Sequence, residues 1–197
     1  MVEIFGKSNS GKTQLAMQAV LQVAARGENA VFIDSEGSFR PERVQSMARA
    51  RGQAEAGMLD RIAYLRVTTA AGQVDSVRAI ATRKETASSR LVAIDTFTRN
   101  FTLDYPGRTN LHSRQGALNV HLSEIARDAF LHGRAYLLTN RITFSQTGGE
   151  TRIGGRTMEQ LVHSSLHLER RGDGAKVTRT ADGHVVRLAQ LDDAGFL

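Results

Sequence analysis

At 197 residues with 41% apolar content, the chain has the length of one domain with a sizeable core, and its lack of cysteine excludes a disulfide framework, a thiolate metal site or a thiol nucleophile. It contains no apolar run of about 18 residues and no charged-then-apolar leader, so a cytoplasmic protein without membrane partners is expected. The net charge of +6, carried mostly by arginine, fits an acidic partner such as nucleic acid, and equally a general preference for arginine codons.

Strand-like and helix-like stretches alternate from the start. "VEIF" (2 to 5) reads as a strand running into a glycine-rich loop, and Leu15, Ala16, Ala19, Val20 and Val23 then repeat at helical spacing until Gly27. "AVFID" (30 to 34) is the next strand, followed by a helix around Val44, Met47 and Ala48 that ends near Gly52. "RIAYLRV" (61 to 67) and "RLVAID" (90 to 95) are strands, with a helix between them marked by Val74, Val77, Ile80 and Ala81. Leu118, Leu122, Ile125 and Ala129 trace a long helix before the strand "AYLLT" (135 to 139). The polar, glycine-rich "SQTGGETRIGG" (145 to 155) is expected to be a mobile loop. From residue 163 the pieces "SLHLER", "AKVTRT" and "HVVRLAQL", separated by "GDG" and "DG" turns, read as antiparallel strands. The expected fold is therefore α/β: a mainly parallel sheet with helices on both faces, extended by antiparallel C-terminal strands, all within one domain over 1 to 197.

Gly6, Gly11, Lys12 and Thr13 fit the pattern G-x-x-x-x-G-K-[ST] between a strand and a helix, which predicts a phosphate-binding loop. Nucleotide contacts are expected from Gly6, Lys7, Ser8, Asn9, Ser10, Gly11, Lys12, Thr13 and Gln14. Backbone N–H groups would face the phosphates, Lys12 would balance their charge, and Thr13 would offer its hydroxyl to Mg²⁺. Asp95, at the end of "LVAI", is the natural metal-side carboxylate, or else a strand-end cap. Glu36 stands just past the second strand, where the carboxyl ends of a parallel sheet converge on a ligand, so it can activate a water; the bland alternative is an exposed capping residue. The six histidines show no metal-ligand spacing, and His121 with Glu124 or Asp128 reads as a surface pair.

"FIDSEGSFRPERV", "EIFGKSNSGKTQLA", "DTFTRNFTLDYPGRTNLHSRQ" and "LLTNR" together resemble the RecA-fold recombinases of the RadA type over almost the whole chain, and "IGGRTMEQLVHSSLHLERRGDG" resembles the RadB branch of that family. The resemblance implies ATP and Mg²⁺ as ligands, with Lys12 and Glu36 catalytic and with Thr13 and Asp95 at the metal. It implies that Arg43 lies against the adenine, and that Arg108, Arg114, Arg152 and Arg156 approach single-stranded or junction DNA from two loop segments. Family members carry glutamine after the asparagine of "LLTNR"; here Arg141 can contact phosphate or DNA but cannot accept a hydrogen bond from water. No counterpart of the proline-bearing ATP-cap segment is visible in "VTRTADGHVV". The N-terminal helical domain, tether and lead-in segment are also missing before Met1, which reads as an N-terminal truncation. The implied function is an ATP- and DNA-binding aid to recombinational repair with slow hydrolysis. Two alternatives stay open: a nucleotide-gated, non-catalytic adaptor for a recombinase or junction nuclease, and a signalling ATPase of the KaiC type.

Overall fold

The structure is a computed structural model and describes residues 1–53, 57–144, 150–172, 174–188, 191–192 and 195–196. Four short apolar runs became parallel strands: β1 (Val2–Gly6), β2 (Ala30–Asp34), β3 (Ile62–Arg66) and β4 (Leu91–Asp95). They alternate with α1 (Lys12–Ala24), α2 (Pro41–Ala50) and α3 (Ala70–Ile80). A short α4 (Arg99–Asp104) and the long α5 (Leu111–His132) then lead into β5 (Ala135–Phe144). The remaining elements are β6 (Glu150–Arg152), α6 (Gly155–Leu161), β7 (Ser164–Arg171), β8 (Gly174–Arg179), β9 (Val185–Leu188), and the two-residue strands β10 (Leu191–Asp192) and β11 (Gly195–Phe196).

The strand order is β3-β2-β4-β5-β1-β7-β8-β9, with β6 paired to the far end of β5. Strands β3 through β7 along that path are mutually parallel; β8 and β9 are antiparallel, as expected for the C-terminal pieces. β7 is antiparallel to β8 on one side and parallel to β1 on the other, because the helix α6 carries the chain back before it pairs with β1. β2 and β4 are buried at every position, the mark of central parallel strands covered on both faces. Successive β2 residues alternate between the two cores: Phe32 packs with Val20, Leu21 and Met47 from α1 and α2, whereas Val31 and Ile33 pack with Val77, Phe101, Leu122 and Ile125.

The loop expected over 145 to 155 is only partly comparable, since 145–149 lie outside the described residues. Beyond them, Glu150 to Arg152 form β6, with Ile142 opposite Arg152, and α6 starts at Gly155. The backbone of this polar stretch is satisfied by pairing with β5, a long-range partner that local composition does not reveal. Residues 189 and 190, inside the last expected strand (184 to 191), also lie outside the described residues.

His121 corrects a second expectation. It is fully buried, not part of a surface pair, and its ring stacks on Phe97 and Phe101 with centroids 5.1 and 5.6 Å away. Its Nε2 lies 3.2 Å from the amide nitrogen of Gln73. Glu124 instead pairs with Arg78, and Asp128 accepts from Tyr136 and Arg134. The reason is periodicity: His121 shares the helix face of Leu118, Leu122 and Ile125. Burial lowers its pKa from 6.5 to about 3. The unfolded chain therefore takes up a proton below pH 6.5 that the native ring refuses, so stability is lost as pH falls from 6.5 toward 3. Denaturant unfolding of the wild type should show up to about 1.4 kcal/mol lost per pH unit from this residue. His121→Leu should flatten that dependence; an identical pH slope in the variant would rule out His121 as its source.

Candidate nucleotide site

The loop from Gly6 to Thr13 joins β1 to α1, and its shape depends on two glycines. Gly11, at the helix N-cap, has φ of 97°, a conformation that side chains resist. Gly6 is needed for space: an added Cβ would lie 2.2 Å from the Leu168 carbonyl oxygen on β7. Inside the loop Lys12 is 7% exposed and donates to the carbonyls of Gly6 and Lys7 at 3.0 and 2.6 Å. Burial lowers its pKa from 10.5 to about 8, partly countered by the nearby Asp95 charge.

Three oxygen groups converge beside it. Thr13 Oγ1 and Ser38 Oγ donate to Asp95 Oδ2 at 2.9 and 2.8 Å, and the Thr139 hydroxyl donates to Oδ1. Asp95 is 1% exposed, and burial raises its pKa against the effect of the three hydroxyls. A buried carboxylate ringed by hydroxyls, with no nitrogen or sulfur ligands, suits a hard divalent cation such as Mg²⁺. Among the described residues there is no cluster of three or more His, Cys, Asp or Glu side chains, so such an ion would draw its other ligands from water and phosphate.

Glu36 is positioned by a carboxylate that sequence reading passed over. Asp34, at the end of β2, accepts the backbone N–H groups of Glu36, Gly37 and Phe39 at 2.8, 2.7 and 3.0 Å. The signal was available, because an Asp two or three residues before a glycine is a turn-forming residue. Glu36 Oε1 then accepts from the Thr96 hydroxyl at 2.9 Å. Glu36, Lys12, Thr13, Gln14, Ser8, Asn9, Gly11 and Thr96 line one cleft of about 390 Å³.

Two arginines share that cleft. Arg141, at the first residue past Asn140 on β5, places Nη2 2.6 Å from each carboxylate oxygen of Glu36. β4 separates β2 from β5, so Arg141 reaches across the end of β4 to Glu36 and stands on the nucleotide cleft. Arg170 was not anticipated. The β1–β7 register, with Phe5 opposite His167, carries Arg170 alongside Ser8 at the same edge of the sheet.

The other expected residues divide. Ser10 is buried and 3.4 Å from Lys12 Nζ, while Lys7 projects outward and pairs with Glu150. Arg43, in the first turn of α2, donates from Nε to Gln14 Oε1 at 3.0 Å, so it borders the cleft through Gln14. Arg108 is exposed in the turn before α5, and Arg114 donates to the Tyr105 carbonyl at 3.2 Å. Arg156 is exposed on α6, whose Thr157 hydroxyl donates to Gln115 at 2.8 Å. That bond brings the segments bearing Arg114 and Arg156 together. Arg152 does not join them. It is 10% exposed, pairs with the fully buried Glu3 at 2.6 Å and with Glu159 at 3.0 Å, and lies 5.2 Å from the centre of the Phe5 ring. Glu3 would be an unpaired buried charge without it, so Arg152 is committed to the interior.

The Rad51 family model matches residues 1–183 of this chain. A curated relative, DNA repair and recombination protein RadA of Ignicoccus hospitalis, is 29% identical across 92% of this chain. The chain spans 60% of that relative's length.

Proposed function

Because the chain belongs to the Rad51 family, we propose that it is an ATP-binding RecA-type core that binds DNA, assists recombinational repair and hydrolyses ATP slowly. The observation that carries this reading is the convergence of Lys12, Thr13, Glu36 and Asp95 at the carboxyl edge of a parallel sheet, tied by the Thr13–Asp95 hydrogen bond of 2.9 Å. The loop N–H groups and Lys12 hold the phosphates, with Lys12 Nζ leaving the Gly6 and Lys7 carbonyls for phosphate oxygens. Thr13 and Asp95 would hold Mg²⁺, which would neutralise charge on the phosphates. Glu36 takes the proton of a water whose oxygen attacks the terminal phosphorus as the bond to the bridging oxygen breaks, leaving ADP and phosphate. Arg43 borders the base end of the site. Arg108, Arg114 and Arg156 meet single-stranded or junction DNA through its phosphates, so binding is salt-sensitive and weakly dependent on sequence. The whole works as one domain, and a RadA-type recombinase or a junction nuclease is a natural protein partner.

The test is ATP turnover with and without single-stranded DNA at low salt, in wild type and Glu36→Gln. Turnover stimulated by DNA, and lower by about 10² to 10⁴-fold in the variant, supports the enzyme. Tight ATP binding with negligible turnover in both proteins favours a nucleotide-gated adaptor, a reading helped by the arginine on Glu36. Absence of DNA binding and of stimulation at low salt defeats the repair role.

A further inference from the structure

The carboxylate that hydrolysis requires is occupied. Arg141 Nη2 contacts both oxygens of Glu36 at 2.6 Å, and the Thr96 hydroxyl takes Oε1 as well. A base in that state is a poor acceptor for a water proton, because its lone pairs already face a cation. Yet the contact is easily opened. The Arg141 side chain is 46% exposed and that of Glu36 21% exposed, so solvent screens their attraction and the pair is weak. Both side chains line the cleft that holds Lys12 and Thr13, and the positive charge of Arg141 is felt at Lys12. A guanidinium at this spot is therefore within the field of whatever anion Lys12 binds. A terminal phosphate carries more charge than Glu36 and matches the planar fork of an arginine.

Resting on the nucleotide reading above, we propose that Arg141 is a positioning residue that exchanges partners, latching Glu36 in the nucleotide-free protein and moving to the terminal phosphate of a bound nucleoside triphosphate. The Thr96 hydroxyl keeps the carboxylate in place through Oε1, so the move exposes Oε2 to water. A diphosphate lacks the group that draws Arg141 away, and with it the latch stays shut. Hydrolysis is thereby restrained until a triphosphate is seated, and the restraint returns when the terminal phosphate leaves.

The prediction is tested by calorimetric titration with a non-hydrolysable ATP analogue and with ADP, both with Mg²⁺, in wild type, Arg141→Gln, Glu36→Gln and the double variant. Wild type should prefer the triphosphate by about tenfold, and Arg141→Gln should lose that preference through weaker triphosphate binding while ADP affinity holds. Glu36→Gln should bind the triphosphate several-fold more tightly, since no latch has to open, and the double variant should match Arg141→Gln. A purely structural role for Arg141 would weaken both nucleotides alike or lower the melting temperature, which is measured in parallel with Arg141→Lys as the charge-preserving control. An unchanged triphosphate-to-diphosphate ratio in Arg141→Gln, or additive effects in the double variant, overturns the exchange while leaving the nucleotide site standing. Failure of wild type to bind either nucleotide overturns both.

Discussion

Lys12→Ala is expected to abolish measurable ATP binding. Lys12 Nζ sits among the Gly6 and Lys7 carbonyls and the Ser10 hydroxyl, almost shielded from water. A phosphate entering the loop takes over those hydrogen bonds, and the truncated side chain leaves that phosphate without its closest cation. Removing one member of such a buried charge pair costs about 3 kcal/mol or more, roughly a hundredfold in affinity. The pH dependence carries a second signature. Because burial brings the Lys12 pKa down to about 8, the free protein carries this charge almost fully about one unit below that value and loses it as pH rises through it. Wild-type affinity should therefore be level well below pH 8, begin to fall as pH approaches 8, and fall toward tenfold per unit above it. Fluorescence titration with a labelled nucleotide reads both effects, and an unchanged affinity in the variant would remove the phosphate-loop assignment.

Gly6→Ala should unfold the protein more readily than any surface change. The new Cβ would meet the Leu168 carbonyl oxygen at 2.2 Å and the Ser10 hydroxyl at 3.0 Å. The first of these is backbone in a paired strand, so no side-chain rotation relieves it; β1 and β7 have to separate or the loop has to shift. Overpacking against backbone costs on the order of 3 kcal/mol, or roughly 6 to 12 °C in melting temperature for a chain of this size. Thermal unfolding by circular dichroism measures the drop. A melting point equal to wild type would mean that β7 does not run beside the phosphate loop.

Much of this is legible in the amino-acid sequence itself. The spacing of Gly6, Gly11, Lys12 and Thr13 depends on local geometry alone: a tight turn, a left-handed glycine and a helix start lie within eight positions. Asp95 and Glu36 were legible because each follows an apolar run, and the carboxyl ends of parallel strands share one edge of the sheet. The strand and helix order was likewise written in the alternation of apolar runs with helical periodicity. α4 and β6 were not visible, since one is six residues long and the other three, too short for either pattern to repeat.

What only the tertiary structure decided were the partners of charges. Twenty-six basic residues look alike in the sequence, each a candidate for a phosphate. Strand order sent Arg141 across β4 to Glu36, and the β5–β6 pairing sent Arg152 inward to Glu3. Arg156, four residues from Arg152, stayed outside on α6. His121 went inside because the packing of α5 chose the face that bears it. Local propensity is set by neighbours a few residues apart, and a motif confined to one turn can be read from them. The fate of a charge is set by whatever the fold brings within a few ångströms of it, and for Glu36 and Arg141 that neighbour stands 105 residues along the chain.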